Sequence, residues 1–168
     1  MSGSKPPPRL RRAYFDCRYG QLHVHNAIPA GGGFDEATTL VCVHASGGSG
    51  RIFAAVLAAL GADRSIYAID LPGCGESDPA AQGTAAVDAG LHAVTDFLVS
   101  MRLRKVDMLC SGDGAAIALR LAVASPAQLR KIVLLGAPSG AVAQHPLLAL
   151  DLDPAAAGLP AKLAAFLD

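Results

Sequence analysis

Hydrophobic positions along the chain change their period several times, and each change marks an element. Between Ala13 and Ile28 apolar and polar residues alternate around Gly20, so the stretch reads as a β-hairpin. Leu22, Val24 and Ile28 share one side of it. His23 and His25 share the other, where they are expected to face solvent or pack on the sheet's outer face. A loop follows over Pro29–Gly33. Leu40–His44 is then a short continuous apolar run, the pattern of a strand buried on both faces, and Ala45–Gly50 is a turn. A helix is predicted over Ile52–Leu60, closed by Gly61.

Ser65–Asp70 reads as a second buried strand and Leu71–Pro79 as a turn-rich loop. Thr84 is placed to cap a helix reaching Met101, with Val87, Leu91, Val94 and Leu98 at helical spacing. Val106–Cys110 predicts a strand, Ser111–Gly114 a tight turn, and Ala115–Ala124 a helix that Pro126 stops. Lys131–Gly136 is the last strand. From Ser139 onward the chain is rich in Ala, Leu and Pro, with one helix predicted near Ala161–Leu167.

A hairpin followed by alternating strands and helices implies an α/β fold: a mostly parallel sheet of about six strands with helices on both faces. Three regions follow. Residues 1–12 read as a disordered basic tail carrying Lys5, Arg9, Arg11 and Arg12 and stiffened by Pro6, Pro7 and Pro8. Residues 13–138 form the core, and residues 139–168 an Ala/Leu/Pro-rich tail, the start of a cap region.

Composition narrows the function classes. In 168 residues, 14 basic side chains balance 14 acidic ones, so there is no broad field to attract the phosphates of a nucleic acid. Hydrophobic residues make up 52% and charged ones 17%, which rules out a disordered chain. No apolar run reaches the ~18 residues that span a bilayer, so no membrane partner is expected. The four cysteines, at 17, 42, 74 and 110, include no Cys-x-x-Cys pair. They give no zinc or redox signature and fit a reduced, cytoplasmic setting.

Four segments carry the candidate chemistry. They are Val43-His-Ala-Ser-Gly-Gly-Ser-Gly50, Asp70-Leu-Pro-Gly-Cys-Gly-Glu-Ser-Asp78, Asp107-Met-Leu-Cys-Ser-Gly-Asp-Gly-Ala-Ala116 and Val133-Leu-Leu-Gly-Ala-Pro138. In this order and spacing they resemble the N-terminal part of the α/β-hydrolase superfamily, over about Ala13 to Pro138. The resemblance implies a truncated α/β-hydrolase fold with strands in the order one, two, four, three, five, six. It also implies an ancestral hydrolase of ester-like bonds in small molecules, without a cofactor. In that superfamily a strand ends in a sharp turn that lifts a nucleophile above the sheet, flanked by small residues two before and two after. Two backbone N–H groups stabilise the oxyanion. By resemblance these belong to Ser46 and Asp113, and His44 is the histidine that holds the first loop.

The turn departs from the pattern. Aligned without gaps, it puts Gly112 at the apex, with Cys110 and Gly114 as the small flanks. Asp113 at the apex would have Ser111 and Ala115 as flanks and would resemble the epoxide hydrolase and haloalkane dehalogenase branch. Ser111 at the apex would have the larger Leu109 and Asp113. After the turn, the superfamily order requires an acid and then a histidine. The only later histidine is His145, and the later acids are Asp151, Asp153 and Asp168. The chain therefore reads as inactive as it stands. The alternatives are a non-catalytic binding or interaction domain and a fragment of a longer hydrolase.

The remaining candidates have plainer readings. The i, i+2 spacing of His23 and His25 suits a metal, but the sequence offers no evident third ligand, so no metal is assigned. His92 is placed on a helix surface. Gly47–Gly50 lacks the Lys-Ser/Thr ending of a phosphate loop. If no strand follows, Ile132–Leu135 forms an exposed sheet edge, which invites pairing with a second copy unless the tail folds over it.

Overall fold

The computed structural model describes residues 5–32, 37–136 and 158–168, and the backbone of 149–152. Its strands are β1 (Arg9–Cys17), β2 (Gly20–Ile28), β3 (Leu40–Val43), β4 (Ile66–Ile69), β5 (Val106–Ser111), β6 (Leu129–Leu135) and β7 (Ala149–Leu152). Its helices are α1 (Ala54–Leu60), α2 (Ala86–Ser100), α3 (Ala115–Ala124) and α4 (Leu159–Leu167). One sheet has the order β1-β2-β4-β3-β5-β6-β7. The β1/β2 and β2/β4 pairs are antiparallel, and the pairs from β4 to β7 are parallel.

The four-residue apolar runs of β3 and β4 lie in the middle of the sheet and are buried throughout. Helices cover both faces. Ala93, Val94 and Phe97 of α2 and Ile117, Ala118 and Leu121 of α3 pack with Leu22, Val24 and Ile69 on one side. Val56, Leu57 and Leu60 of α1 join Leu163 and Leu167 of α4 on the other. None of the described helices is long and apolar enough to cross a membrane.

Several expectations are corrected. The basic stretch 1–12 is not wholly a disordered tail, because β1 begins at Arg9 and Arg9–Arg12 pair with Ile28–His25. An edge strand with one solvated face accommodates such arginines. Thr84 does not cap α2, which begins at Ala86 with Ala85 at its N-cap and no side-chain cap bond. His23 does not face solvent. It is 1% exposed, because β2 is an inner strand and the loop after β4 folds over it.

Ile132–Leu135 is not a sheet edge either. These residues pair with Ala149–Leu152 on one side and with β5 on the other. The row of N–H and C=O groups that would have recruited a second copy is engaged within the chain, by a strand rather than by the final helix. The boundary expected at Pro138, together with His145 and Asp153, lies outside the described residues.

The last helix belongs to the core. At the end of the sheet where β5 begins, Asp107 is fully buried and accepts from Arg130 Nε at 2.9 Å and Nη2 at 2.7 Å. Arg64 Nη1 lies 3.5 Å from the same Oδ2 that Arg130 Nη2 reaches. The same two cations, together with Lys131, hold α4: Arg130 donates to Leu167 O, Lys131 Nζ to Phe166 O at 2.6 Å, and Arg64 to Asp168 Oδ1 at 3.2 Å. Positive charge at a helix C-terminus complements the exposed carbonyls there. Asp168 is thus used at the base of the sheet, the opposite end from the loops that carry the candidate chemistry.

Candidate active site

The carboxyl ends of β3, β4 and β5 meet at one edge of the sheet, and the loops leaving them build the site. His44 follows β3 and is fully buried. Its Nδ1 donates to Ala45 O at 2.7 Å, and its Nε2 accepts the backbone N–H of Leu71 at 2.9 Å. These two bonds fix one tautomer and tie the loop after β3 to the loop after β4. Both ring nitrogens are spent on the scaffold.

β5 ends at Ser111 in extended backbone, with φ −106°. Gly112 then turns sharply at φ +52°, and Gly112–Gly114 make one turn of 3-10 helix leading into α3. The left-handed conformation at 112 is cheap for glycine alone. Gly114 is equally constrained, since a Cβ there would lie 2.6 Å from His44 O. Cys110, two residues before the apex, is fully buried, and burial pushes its thiol up to about 12. The crest of the turn is therefore Gly112, with small residues on both flanks and no side chain of its own. Ser111 lies on the strand before the crest and Asp113 in the turn after it.

Asp113 is not idle. Its Oδ1 accepts the backbone N–H of Ser46 at 2.7 Å. Hydrogen bonds from the Ser46 hydroxyl and N–H hold this exposed carboxyl below the usual aspartate range. An anion belonging to the chain thus sits on one of the two donors that the resemblance assigns to an oxyanion. The cavity beside it, between His44, Ser46, Leu71, Asp113 and Ile117, is only about 80 Å³. Ligand cavities are commonly about 300–1,000 Å³. A cavity of about 550 Å³ lies elsewhere, between β1, β2 and α1, walled by Arg11, Arg12, His25, Arg51 and Leu57.

Asp70, just after β4, organises the second loop. Its Oδ1 accepts from Gly50 N at 2.6 Å and Ser49 Oγ at 2.9 Å; its Oδ2 accepts from Glu76 N at 3.1 Å and faces His23 Nδ1 at 2.8 Å. Burial is the largest single influence and disfavours ionisation. The bonds from Gly50, His23, Glu76 and Ser49 together outweigh it and hold the carboxyl below its ordinary value. Gly75 lets the loop come this close, at φ +53°, where a Cβ would stand 2.0 Å from Asp70 Oδ2. Ser77 completes the tie, donating to Asp70 O at 2.6 Å and accepting from His23 N at 2.9 Å.

The structure thus gathers His44, Ser46, Gly112 and Asp113 in one place and His23, His25 and Asp70 in another. His92 is bonded to the Tyr19 hydroxyl at 2.7 Å. The sequence reading missed Asp70 as the group that meets His23. The Asp-Leu-Pro-Gly-Cys-Gly motif was its available signal, because two turn glycines after a strand fold the loop back over the strand's end.

Comparison with known proteins agrees with this arrangement. Residues 40–168 match the model of the alpha/beta hydrolase family. The chain belongs to the alpha/beta hydrolase family. It is 29% identical over 136 residues to a 2-hydroxy-6-oxononadienedioate/2-hydroxy-6-oxononatrienedioate hydrolase of Pseudomonas putida, covering 79% of this chain and 44% of that protein. Among solved structures, a serine hydrolase from Cycloclasticus superposes with a TM-score of 0.68 at 18% identity, covering 77% of this chain and 46% of the other. Naproxen esterase from Bacillus subtilis gives 0.66 at 20% identity, covering 78% and 44%. A haloalkane dehalogenase from Agrobacterium tumefaciens gives 0.64 at 19%, covering 76% and 41%. The chain therefore spans less than half the length of each of these hydrolases.

Proposed function

We propose that this hydrolase-fold chain binds a small molecule without cleaving it. The observation that carries the reading is Gly112, which makes the sharp turn after β5 at φ +52° and has no side chain to react. Two further features support it. Asp113 already holds the Ser46 N–H. His44, the described histidine at this site, has both ring nitrogens engaged and cannot act as a general base there.

The ligand we assign is a small anion with an apolar middle. The related Pseudomonas putida enzyme is named for dicarboxylate substrates. In this chain Arg11, Arg12 and Arg51 flank the larger cavity, while Leu57 and Ala54 give it an apolar floor. Guanidinium groups pair well with carboxylates. All four cysteines are free thiols, which suits a reducing, cytoplasmic setting.

Nonanedioate is a suitable probe. It is expected to raise the melting temperature in a saturable way, with no release of nitrophenol from p-nitrophenyl esters by the same preparation. Charge reversal at Arg11 and Arg51 should abolish the shift. Ester turnover above the buffer rate would defeat the non-catalytic reading. No shift with the dicarboxylate would defeat the ligand assignment.

A further inference from the structure

The cluster around Asp70 has more in it than a loop tie. His23 and His25 project from the same face of β2, with ring centroids 4.6 Å apart. Antiparallel pairing of Val24 with Ile69 brings the residue after β4 alongside them. Asp70 Oδ2 lies 2.8 Å from His23 Nδ1, and Asp70 Oδ1 lies 3.8 Å from His25 Nε2. One donor atom from each of the three residues falls within 4.8 Å of the others. The side chains of His23, Asp70 and His25 are 2%, 1% and 14% exposed.

His25 Nε2 is the telling atom. It is buried and has no hydrogen-bond partner among the described residues. Buried polar atoms in native proteins are nearly always matched, and an orphan calls for an explanation.

We propose that His23, His25 and Asp70 form a site for a divalent transition metal, with zinc its fitting occupant. Two imidazoles and one carboxylate, with a fourth position left for water, match the donor set of an open zinc site. Ligand atoms around tetrahedral zinc stand about 3.3 Å apart, given bonds of roughly 2.0–2.1 Å. The 2.8 Å and 3.8 Å separations run to different oxygens of Asp70, and one atom from each residue falls within 4.8 Å of the others, so the three side chains draw together on binding. When the metal takes His23 Nδ1, the ring proton is carried on Nε2, which lies 3.9 Å from Glu76 Oε2.

The surroundings suit this role. Gly50 N, Ser49 Oγ and Glu76 N orient the carboxylate from outside the cluster, as outer partners of metal ligands do. A Cβ at Gly50 would lie 3.0 Å from His25 Cδ2 and 2.7 Å from Ala68 O, so only glycine leaves room for the ring. The Tyr14 hydroxyl donates to Glu76, while Arg12 and Arg51 lie 3.8 Å and 3.6 Å from the same carboxylate and limit the negative field there. His25 also walls the larger cavity, which gives an ion a way in.

The test is calorimetric titration of chelator-treated protein with zinc chloride at pH 7.5, paired with the absorption spectrum of the cobalt(II) form. We expect one ion per chain and a cobalt spectrum with no thiolate charge-transfer band. His25→Ala should weaken binding at least ten-fold, while the metal-free variant keeps the parent's circular dichroism, because Nε2 bonds to nothing described. Absence of binding to the parent would overturn the proposal. So would unchanged affinity in His25→Ala, or a thiolate band placing the metal on Cys17 or Cys74. None of these readings depends on dicarboxylate binding or on ester turnover.

Discussion

The backbone N–H of Ser46 points at the carboxylate of Asp113, 2.7 Å away across 67 residues of sequence. In a hydrolase the corresponding donor waits for charge that develops on the substrate. Here it is satisfied in the resting chain, next to a turn whose crest is Gly112. Both observations support the non-catalytic reading proposed above: Gly112 carries no side chain, and the Ser46 N–H is bonded to Asp113.

This contact has a pH signature. Because Asp113 is held below its ordinary value, the bond is present above the unfolded value of about 3.9 and is lost as pH falls through the lower folded value. The Ser46 amide proton should therefore titrate in NMR with a midpoint below about 3.9. Asp113→Asn should remove that titration. A midpoint at or above the ordinary value would show that the contact does not persist in solution.

Restoring a hydroxyl at the crest should not restore chemistry. Gly112→Ser forces a side chain into a left-handed backbone, 3.1 Å from the Ala45 methyl. The expected cost is about 1–3 kcal/mol, seen as a lower melting temperature, with ester turnover still absent. An unchanged or higher melting temperature would argue that 112 is not the crest.

The base of the sheet makes a separate prediction. Asp107→Ala leaves the buried Arg64 guanidinium without its inner partner and releases Arg130 from its two-point bond. Removing one member of a buried pair costs about 3–5 kcal/mol. Urea unfolding should show a loss of that order, and hydrogen exchange should show α4 losing protection, because Arg130 and Arg64 also hold its last residues. A loss below about 1 kcal/mol would mean that the cluster behaves like a surface pair.

Much of this architecture is written locally. Leu40–Val43 and Ile66–Ile69 are unbroken apolar runs because both faces of an inner parallel strand are covered, and that pattern needs no tertiary knowledge. The turn Cys110-Ser-Gly-Asp-Gly114 is legible for the same reason: small residues at fixed offsets announce a tight crossing. What was not legible depends on distant partners. Arg9–Arg12 look like a solvated tail until Ile28–His25 pair with them. His23 looks exposed until Asp70, 47 residues on, arrives beside it. The docking of α4 rests on Arg64, Asp107 and Arg130, three charges from three segments whose meeting no periodicity encodes.

The central claim is that no nucleophile stands on the crest at Gly112. Its most direct test is to treat the purified chain with a fluorophosphonate probe and with p-nitrophenyl acetate, and to read intact mass and nitrophenol release together. The account predicts an unmodified mass and no turnover above buffer. A covalent adduct mapped to Ser111 or Asp113, or turnover abolished by replacing either with alanine, would contradict it.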